Sequence, residues 1–427
     1  MEQQSELSNI IIVSSQQELD AAYESLAGGS GGKILLESGP SYQFTVRDAE
    51  DLRETAHVTI GSLDPDNPAE VSEVRLKGAE NITFEDLSFA VDGADVSGSG
   101  NMIDMRDSQN ITIRNSSISS DAEGAIGTAT GYTEGAGGLF AKGCDGITVE
   151  GSTVNNTNHA FAFLDSTNVT VVDNDISAIQ GDGIRIGGVS GMLIEGNNLH
   201  DFIGSTHEAN HSDMIQIWGT NISHNNENIT IRENILDTGN GARYQMIFGH
   251  NEDIAENGFL FENIVIEDNV LYGAHQHGIS IEDTLNATVR YNTVIYNSDT
   301  YVNMADGSQV QAEMTGAIQI GGEGAVIEYN IAHNVDGGEN NVVLSTSSPA
   351  LADDYRNHFV NVESGGSGDL RDLMLRPDSE LNGVAGSSLL WSSDSAETLT
   401  AVADVTVSQD DRSVVTLDAS LSRGPAG

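Results

Sequence analysis

Imidazole, guanidinium and phenol groups are scarce in this 427-residue chain, yet several fall close together in three short stretches: HEANHSD (His207–Asp213), ARYQ (Ala242–Gln245) and HQH (His275–His277). A cation that can grip an anion (Arg243), imidazoles that titrate near neutrality (His211, His277) and a phenol (Tyr244) are the components of general acid–base chemistry on an anionic substrate. His207-Glu208-Ala209-Asn210-His211 also spells H-E-x-x-H, a zinc-protease motif when it lies on a helix and a third ligand follows. Here Gly204-Ser205-Thr206 precedes it, and Asp213-Met214-Ile215-Gln216-Ile217 alternates as a strand directly after it. A loop-to-strand turn is therefore expected, not a protease helix.

The elements that must position these groups are repeats. NITFEDL, NITIRNS, GITVEGS, NVTVVDN, GMLIEGN, NITIREN, NIVIEDN, NATVRYN and GAVIEYN are versions of one unit, marked by Phe84, Ile113, Val149, Val171, Ile194, Ile231, Ile266, Val289 and Ile327. Short β-runs at a spacing near 22 residues in the shortest coils indicate a parallel β-helix, in which each coil lays its strands on those below. Asn174, Asn197, Asn234, Asn269, Asn292 and Asn330 each follow a mark by three positions and are expected to stack as an asparagine ladder, Asn being tolerant of turn backbone. The N-I-T triplets are read as recurring strand-entry turns, not glycosylation sites.

A second column, Ile184, Ile215, Ile247, Ile279 and Ile318, should point inward, leaving Arg185, Gln216, Phe248, Ser280 and Gln319 on the outer face. This register puts His211, Arg243 and His275 on successive rungs about 5 Å apart, with Tyr244, Asp213 and His277 beside them. Longer coils must eject loops, at Ser117–Gly137, Asp201–Asn210, His250–Gly258 and Asn297–Met314, which would wall a groove.

The expected fold is all-β: a right-handed parallel β-helix with an N-terminal cap and a short C-terminal β extension. Residues 1–75 read as a strand–helix–strand cap and first coil, 76–354 as the β-helix, 355–394 as a closing segment and 395–427 as the start of a further module or linker. The tail SVVTLDASLSRGPAG resembles the opening of polycystic-kidney-disease-type sandwich domains, modules common on secreted glycan-active enzymes.

Charge narrows the partners. Seventeen basic against 65 acidic residues give −48, which repels nucleic acid and anionic membrane. Such a surface suits high salt or a titrating divalent cation such as Ca²⁺, and equally serves solubility alone. A single cysteine, Cys144, rules out an intramolecular disulfide framework. The opening MEQQSELSNIII lacks the basic and apolar regions of a secretory signal, so the protein is expected either to be cytosolic or to leave the cell by a signal outside this sequence.

Cap, coils and loop-walled face together, over Ile10 to Asn340, resemble bacterial β-helix polysaccharide lyases and uronate C5-epimerases, the alginate- and chondroitin-active groups being nearest in kind. The D-P-H motif of secreted alginate epimerases is absent, so no catalytic residue is carried over by motif. The resemblance implies a secreted monomer acting on an acidic, alginate-like polysaccharide, with no organic cofactor, by β-elimination or alternatively epimerisation. Chemistry then assigns the roles: Arg243, with Ca²⁺ as a further aid, neutralises the uronate carboxylate; His211 or His277 is the base; Tyr244 the acid; Asp213 orients His211. Arg185, Gln216, Gln245, His250 and His275 are placed as substrate contacts, and Asp182, Asp213 and His207 as metal ligands. Two alternatives stand beside this: a glycoside hydrolase on neutral sugar using Asp182 and Asp213, and a non-catalytic glycan-binding β-helix. His159, His200 and His333 are read as structural, and the acidic loops DGADVSG and HNEDIAEN as solvated.

Overall fold

The structure is a computed structural model; it describes residues 9–47, 56–91, 100–120, 136–204, 212–304, 306–360 and 373–392, and the strands Asp404–Val407 and Val415–Asp418. Two compact units divide between Trp391 and Ser392. In the second, the two strands pair antiparallel.

The first unit begins with the expected cap. Ser15 caps the helix Gln16–Ala27, whose Leu19, Tyr23 and Leu26 recur every three to four residues and are buried. Strands Ile10–Val13 and Gly32–Leu36 pair in parallel beside it. From there parallel strands stack coil upon coil in three walls, as in a parallel β-helix. The wall that carries the chemistry contains Phe161–Leu164, Ile184–Gly187, Asp213–Trp218, Gln245–His250, His277–Leu285 and Ala317–Glu323.

Register follows the apolar marks. Phe84, Ile113, Val149, Val171, Ile194, Ile231, Ile266, Val289 and Ile327 are partners in one continuous column, all of them buried. Ile184, Ile215, Ile247, Ile279 and Ile318 form the second. A register shift between His277 and Ile279 pairs His277 with Ala317 instead of the expected Gly316.

The asparagine ladder is continuous and runs one rung further, to Asn341. From Asn197 to Asn341 each Asn Oδ1 accepts both the backbone N–H and the amide of the Asn below, the lowest donor being Asn174. Below Asn174, whose Oδ1 accepts the Ser152 N–H, the hydroxyls of Ser152 and Ser116 take over the accepting role, from Ser116 N and Leu87 N. The left-handed backbone lies elsewhere than expected. It falls on the residue before each ladder Asn, Glu233 (φ 55°) and Tyr291 (φ 55°) among them, and on the Asn of the N-I-T and N-V-T entries, such as Asn110 (φ 51°) and Asn168 (φ 54°). The ladder amides hold these turns by cross-rung bonds; the entry asparagines supply the αL residue themselves.

Three of the expected loops contain structure. Ser117–Ser120 is a strand of the third wall, HNEDIAEN carries the helical turn Ile254–Asn257, and the segment from Asn297 forms the hairpin Tyr301–Asn303/Gln309–Gln311. DGADVSG lies outside the described residues. Helix Ser348–His358, spanning the boundary expected at residue 354, closes the upper end: Tyr355, Phe359, Leu375 and Leu390 join Ile331 and Ile295 in a second apolar cluster. No described helix is long and apolar enough to cross a membrane.

Candidate functional site

A groove of about 1070 Å³ runs along the chemical wall. Alternation along the rungs supplies its floor: Arg185, Gln216 and Phe248 are register partners in one column, and Gly187, Trp218 and His250 in the next. Asp213, Gln245 and His277, at the start of successive strands, line one side with His159, Asp182, Arg243, His275 and Gln276.

Two carboxyl groups on adjacent rungs have opposed surroundings. Asp182 Oδ1 accepts the Asp213 N–H at 2.9 Å, and its Oδ2 lies 3.0 Å from Arg185 Nε. Asp213 is fully buried; Oδ2 accepts from the Gln216 amide at 2.8 Å, whereas Oδ1 has no hydrogen-bond partner. Burial first, then the charge of Asp182, raises the Asp213 carboxyl well above the usual carboxylate range. A carboxyl so placed holds its proton and can donate it. His159 Nδ1 accepts the Asp182 N–H at 2.8 Å, and burial lowers the pKa of its imidazole; the residue expected to be structural thus stands in the groove wall.

His277 is held in one tautomer. Its Nδ1 donates to Gln245 Oε1 at 2.6 Å, while the Gln276 amide donates to Nε2 at 3.2 Å, an assignment made by the hydrogen-bond network. Phe248 stacks on the ring (5.1 Å, 14°) and His275 meets it edge-on (5.1 Å, 69°). Burial lowers the His277 pKa, with the charge of Glu282 opposing. The imidazole is therefore neutral at neutral pH with a basic Nε2. Gln245, expected to touch substrate, lines the groove and also fixes this ring. His275 accepts the His277 N–H on Nδ1.

Arg243 lines the same groove. Its backbone N–H is tied to Tyr301 O at 2.7 Å, and its guanidinium lies 3.5 Å from Met314 Sδ. Among the described residues no carboxylate stands within 4.0 Å of it, whereas Arg106, Arg114, Arg232 and Arg290 each face one. His250 Nδ1 is 3.2 Å from Glu282.

Several expected roles change. Tyr244 is buried and its hydroxyl points at the carbonyls of Ile179 and Gln180 (2.9 and 2.7 Å). Its ring packs edge-on against Phe202. It is a core residue on the inward side of a strand start, so it is not the acid. His207 and His211 lie outside the described residues. Among the described residues no three His, Cys, Asp or Glu groups converge to hold a metal; Asp182 is engaged by Arg185, and Asp213 favours its protonated form. His200 bridges Asp175 and Asp201 on the third wall, and His333 is buried against Ser345 and Tyr355. Both are structural, as expected.

Trp218, Phe248 and Glu252 also line the groove. Phe248 was assigned to the outer face without a role. Trp218 carried a signal of its own: it follows Gln216 by two positions and so shares its outward parity.

Residues 70–184 and 130–335 match, as overlapping segments, the family described as right handed beta helix region. No curated protein matches the chain. Solved structures with a similar course include the surface adhesin PfbA of Streptococcus pneumoniae, 12% identical, covering 76% of this chain and 88% of that one, TM-score 0.43. An alginate lyase from Paenibacillus sp. str. FPU-7 is 13% identical, covering 78% and 99%, TM-score 0.34. A GH136 lacto-N-biosidase from Eubacterium ramulus is 12% identical, covering 78% and 67%, TM-score 0.40. These likenesses do not bear on activity. With more than half of its length matched and its strands stacked in parallel coils, the chain belongs to the right-handed β-helix family.

Proposed function

We propose that the groove cleaves a uronate-containing polysaccharide by β-elimination. The observation that carries this reading is Arg243: a guanidinium in the groove, opposed by no carboxylate among the described residues, in a chain of net charge −48. An arginine left unpaired amid so many acids is matched to an incoming anion. Bound there, the uronate carboxylate is neutralised and its C5 proton acidified. His277 Nε2, released by the Gln276 amide as substrate enters, takes that proton, with Gln245 holding the proton on Nδ1. The electron pair forms the C4–C5 double bond and expels the glycosidic oxygen at C4, and Asp213 supplies the proton this oxygen needs. Polymeric substrates of this kind are met outside the cell, which is where the reading places the protein.

Asp182 and Asp213 favour a second reading. Neighbouring carboxyl groups with opposed environments are also the acid and base of glycoside hydrolysis. Incubation with alginate, polygalacturonate and neutral glycans separates the two. Elimination yields ultraviolet-absorbing unsaturated ends that are lost in His277→Ala and Arg243→Ala. New reducing ends without that absorbance, insensitive to Arg243→Ala, would replace the lyase reading by the hydrolase.

A further inference from the structure

Arg185 is built differently from the structural arginines of this protein. Arg106, Arg232 and Arg114 spend Nε and a terminal nitrogen on one carboxylate each. Arg185 spends Nε alone: it lies 3.0 Å from Asp182 Oδ2 and donates to Gln216 Oε1 at 3.3 Å. Neither terminal nitrogen has a hydrogen-bond partner among the described residues, although the side chain is 32% exposed and lines the groove. Its guanidinium lies over the Trp218 ring at 4.7 Å.

Trp218 is fixed in turn. Its Nε1 donates to Thr220 O at 2.8 Å, and the indole rests on Gly187, where a Cβ would come within 2.6 Å of Cε2. A glycine at the partnered position lets the indole lie on the sheet. The result is a guanidinium anchored at one end and packed on an aromatic, with its terminal pair of donors unspent. That is the arrangement that takes a carboxylate with two parallel bonds.

We propose that Arg185 and Trp218 form a second anionic-sugar subsite, which takes the carboxylate of a uronate unit other than the one at Arg243. The inference rests on the uronate reading and deepens it. Arg185 stands two rungs below the strand that Arg243 precedes, about 10 Å along the axis at one strand spacing per rung. One sugar ring does not reach both, so a substrate filling both subsites is an oligomer lying along the solenoid axis.

The chain has two tryptophans, Trp218 and Trp391, and Trp391 packs on Tyr291 away from the groove residues. Intrinsic fluorescence therefore reports on the subsite independently of turnover. Alginate and galacturonate oligomers of increasing length are titrated into wild type, Trp391→Phe, Trp218→Leu and Arg185→Lys, with neutral cello-oligosaccharides as control. Arg185→Lys keeps the charge beside Asp182 and removes only the fork, and thermal melting checks each fold. Expected are a fluorescence change in wild type and Trp391→Phe that Trp218→Leu lacks, and binding of long oligomers weakened about tenfold or more in Arg185→Lys, with the shortest binders unchanged within about twofold. KM for long oligomers should rise likewise, with kcat little altered. Wild-type affinity in Arg185→Lys at every length would overturn the subsite alone. Wild type that neither binds nor cleaves any uronate would overturn the lyase reading and the subsite with it.

Discussion

Replacing Asn234 by Ala should be among the most damaging single changes outside the apolar core. The side chain is fully buried. Its Nδ2 donates to Ile194 O, Arg232 O and Asn269 Oδ1 at 3.0, 2.9 and 2.9 Å, and its Oδ1 accepts from Asn197 N and Nδ2, both at 2.9 Å. The two amide protons, shared among three acceptors, and both bonds accepted by Oδ1 go at once. At about 1 kcal/mol net for each of four bonds, the loss is about 4 kcal/mol. Asn198→Ala, one residue beyond the ladder's Asn197, removes one partly buried bond to Asp175 and should cost about 1 kcal/mol. Urea denaturation of wild type and both variants, followed by far-ultraviolet circular dichroism, measures the difference. Because a solenoid is stabilised rung by rung, hydrogen exchange should also show protection lost first around Asn197, Asn234 and Asn269. An Asn234→Ala loss no larger than that of Asn198→Ala would refute the view that the ladder holds the coils together.

Four further outcomes follow from the same structure. The kcat/KM profile should be bell-shaped: activity persists below the ordinary imidazole range because the His277 pKa is lowered, and it falls on the alkaline side only above the usual carboxylate range, as Asp213 loses its proton. In Asp213→Asn the alkaline limb should vanish with most of the rate. Gly187→Ala should drive the Trp218 indole off the sheet, seen as a shift of intrinsic fluorescence in a protein whose melting temperature changes little. The Asp237 carboxyl, pushed up by burial to about 6 from 3.8, contributes fully only below its unfolded value. Stability therefore drops as pH rises through about 6, by on the order of 3 kcal/mol, and Asp237→Asn, melted from pH 4 to 8, should lose that dependence. Finally, KM for a polyuronate should fall when NaCl is raised from low to moderate concentration, since the screening length shortens from about 30 to about 10 Å, while neutral glycans show no such change.

The scaffold was legible because stacking imposes a periodic demand on the sequence. Every coil must bury an apolar residue at the same place, so the column from Phe84 to Ile327 was visible residue by residue. The amides from Asn174 to Asn330 were visible for the same reason. The site was legible only as a register. Asp213, Gln245 and His277 fall at corresponding strand starts because the intervening coils are of nearly equal length. Register does not say which way a side chain turns at a strand start. Tyr244 sits one position from Gln245 and turns into the core to meet two carbonyls, while Arg243, one position earlier, faces the groove. Nor does residue type reveal that Gln245 holds the His277 ring. That role depends on a 2.6 Å contact between side chains 32 residues apart.

On the proposed uronate chemistry, the charge of the chain and the work of the groove pull in opposite directions. A net charge of −48 repels a polyanion at distances where ionic strength is low. Over a few ångströms the balance is set by the groups that line the groove, not by the sum over the surface. There the two acids nearest the cations are muted, Asp182 by its pairing with Arg185 and Asp213 by the proton that burial leaves on it. Arg243 and the terminal nitrogens of Arg185 remain the unspent cationic groups among the described groove residues, with Glu252 the acid beside them. A polyanion that has crossed the outer field therefore meets cations at both ends of its path. A neutral glycan would meet the same arginines with nothing for them to neutralise, and the cost of holding them unpaired in so acidic a chain would have no return.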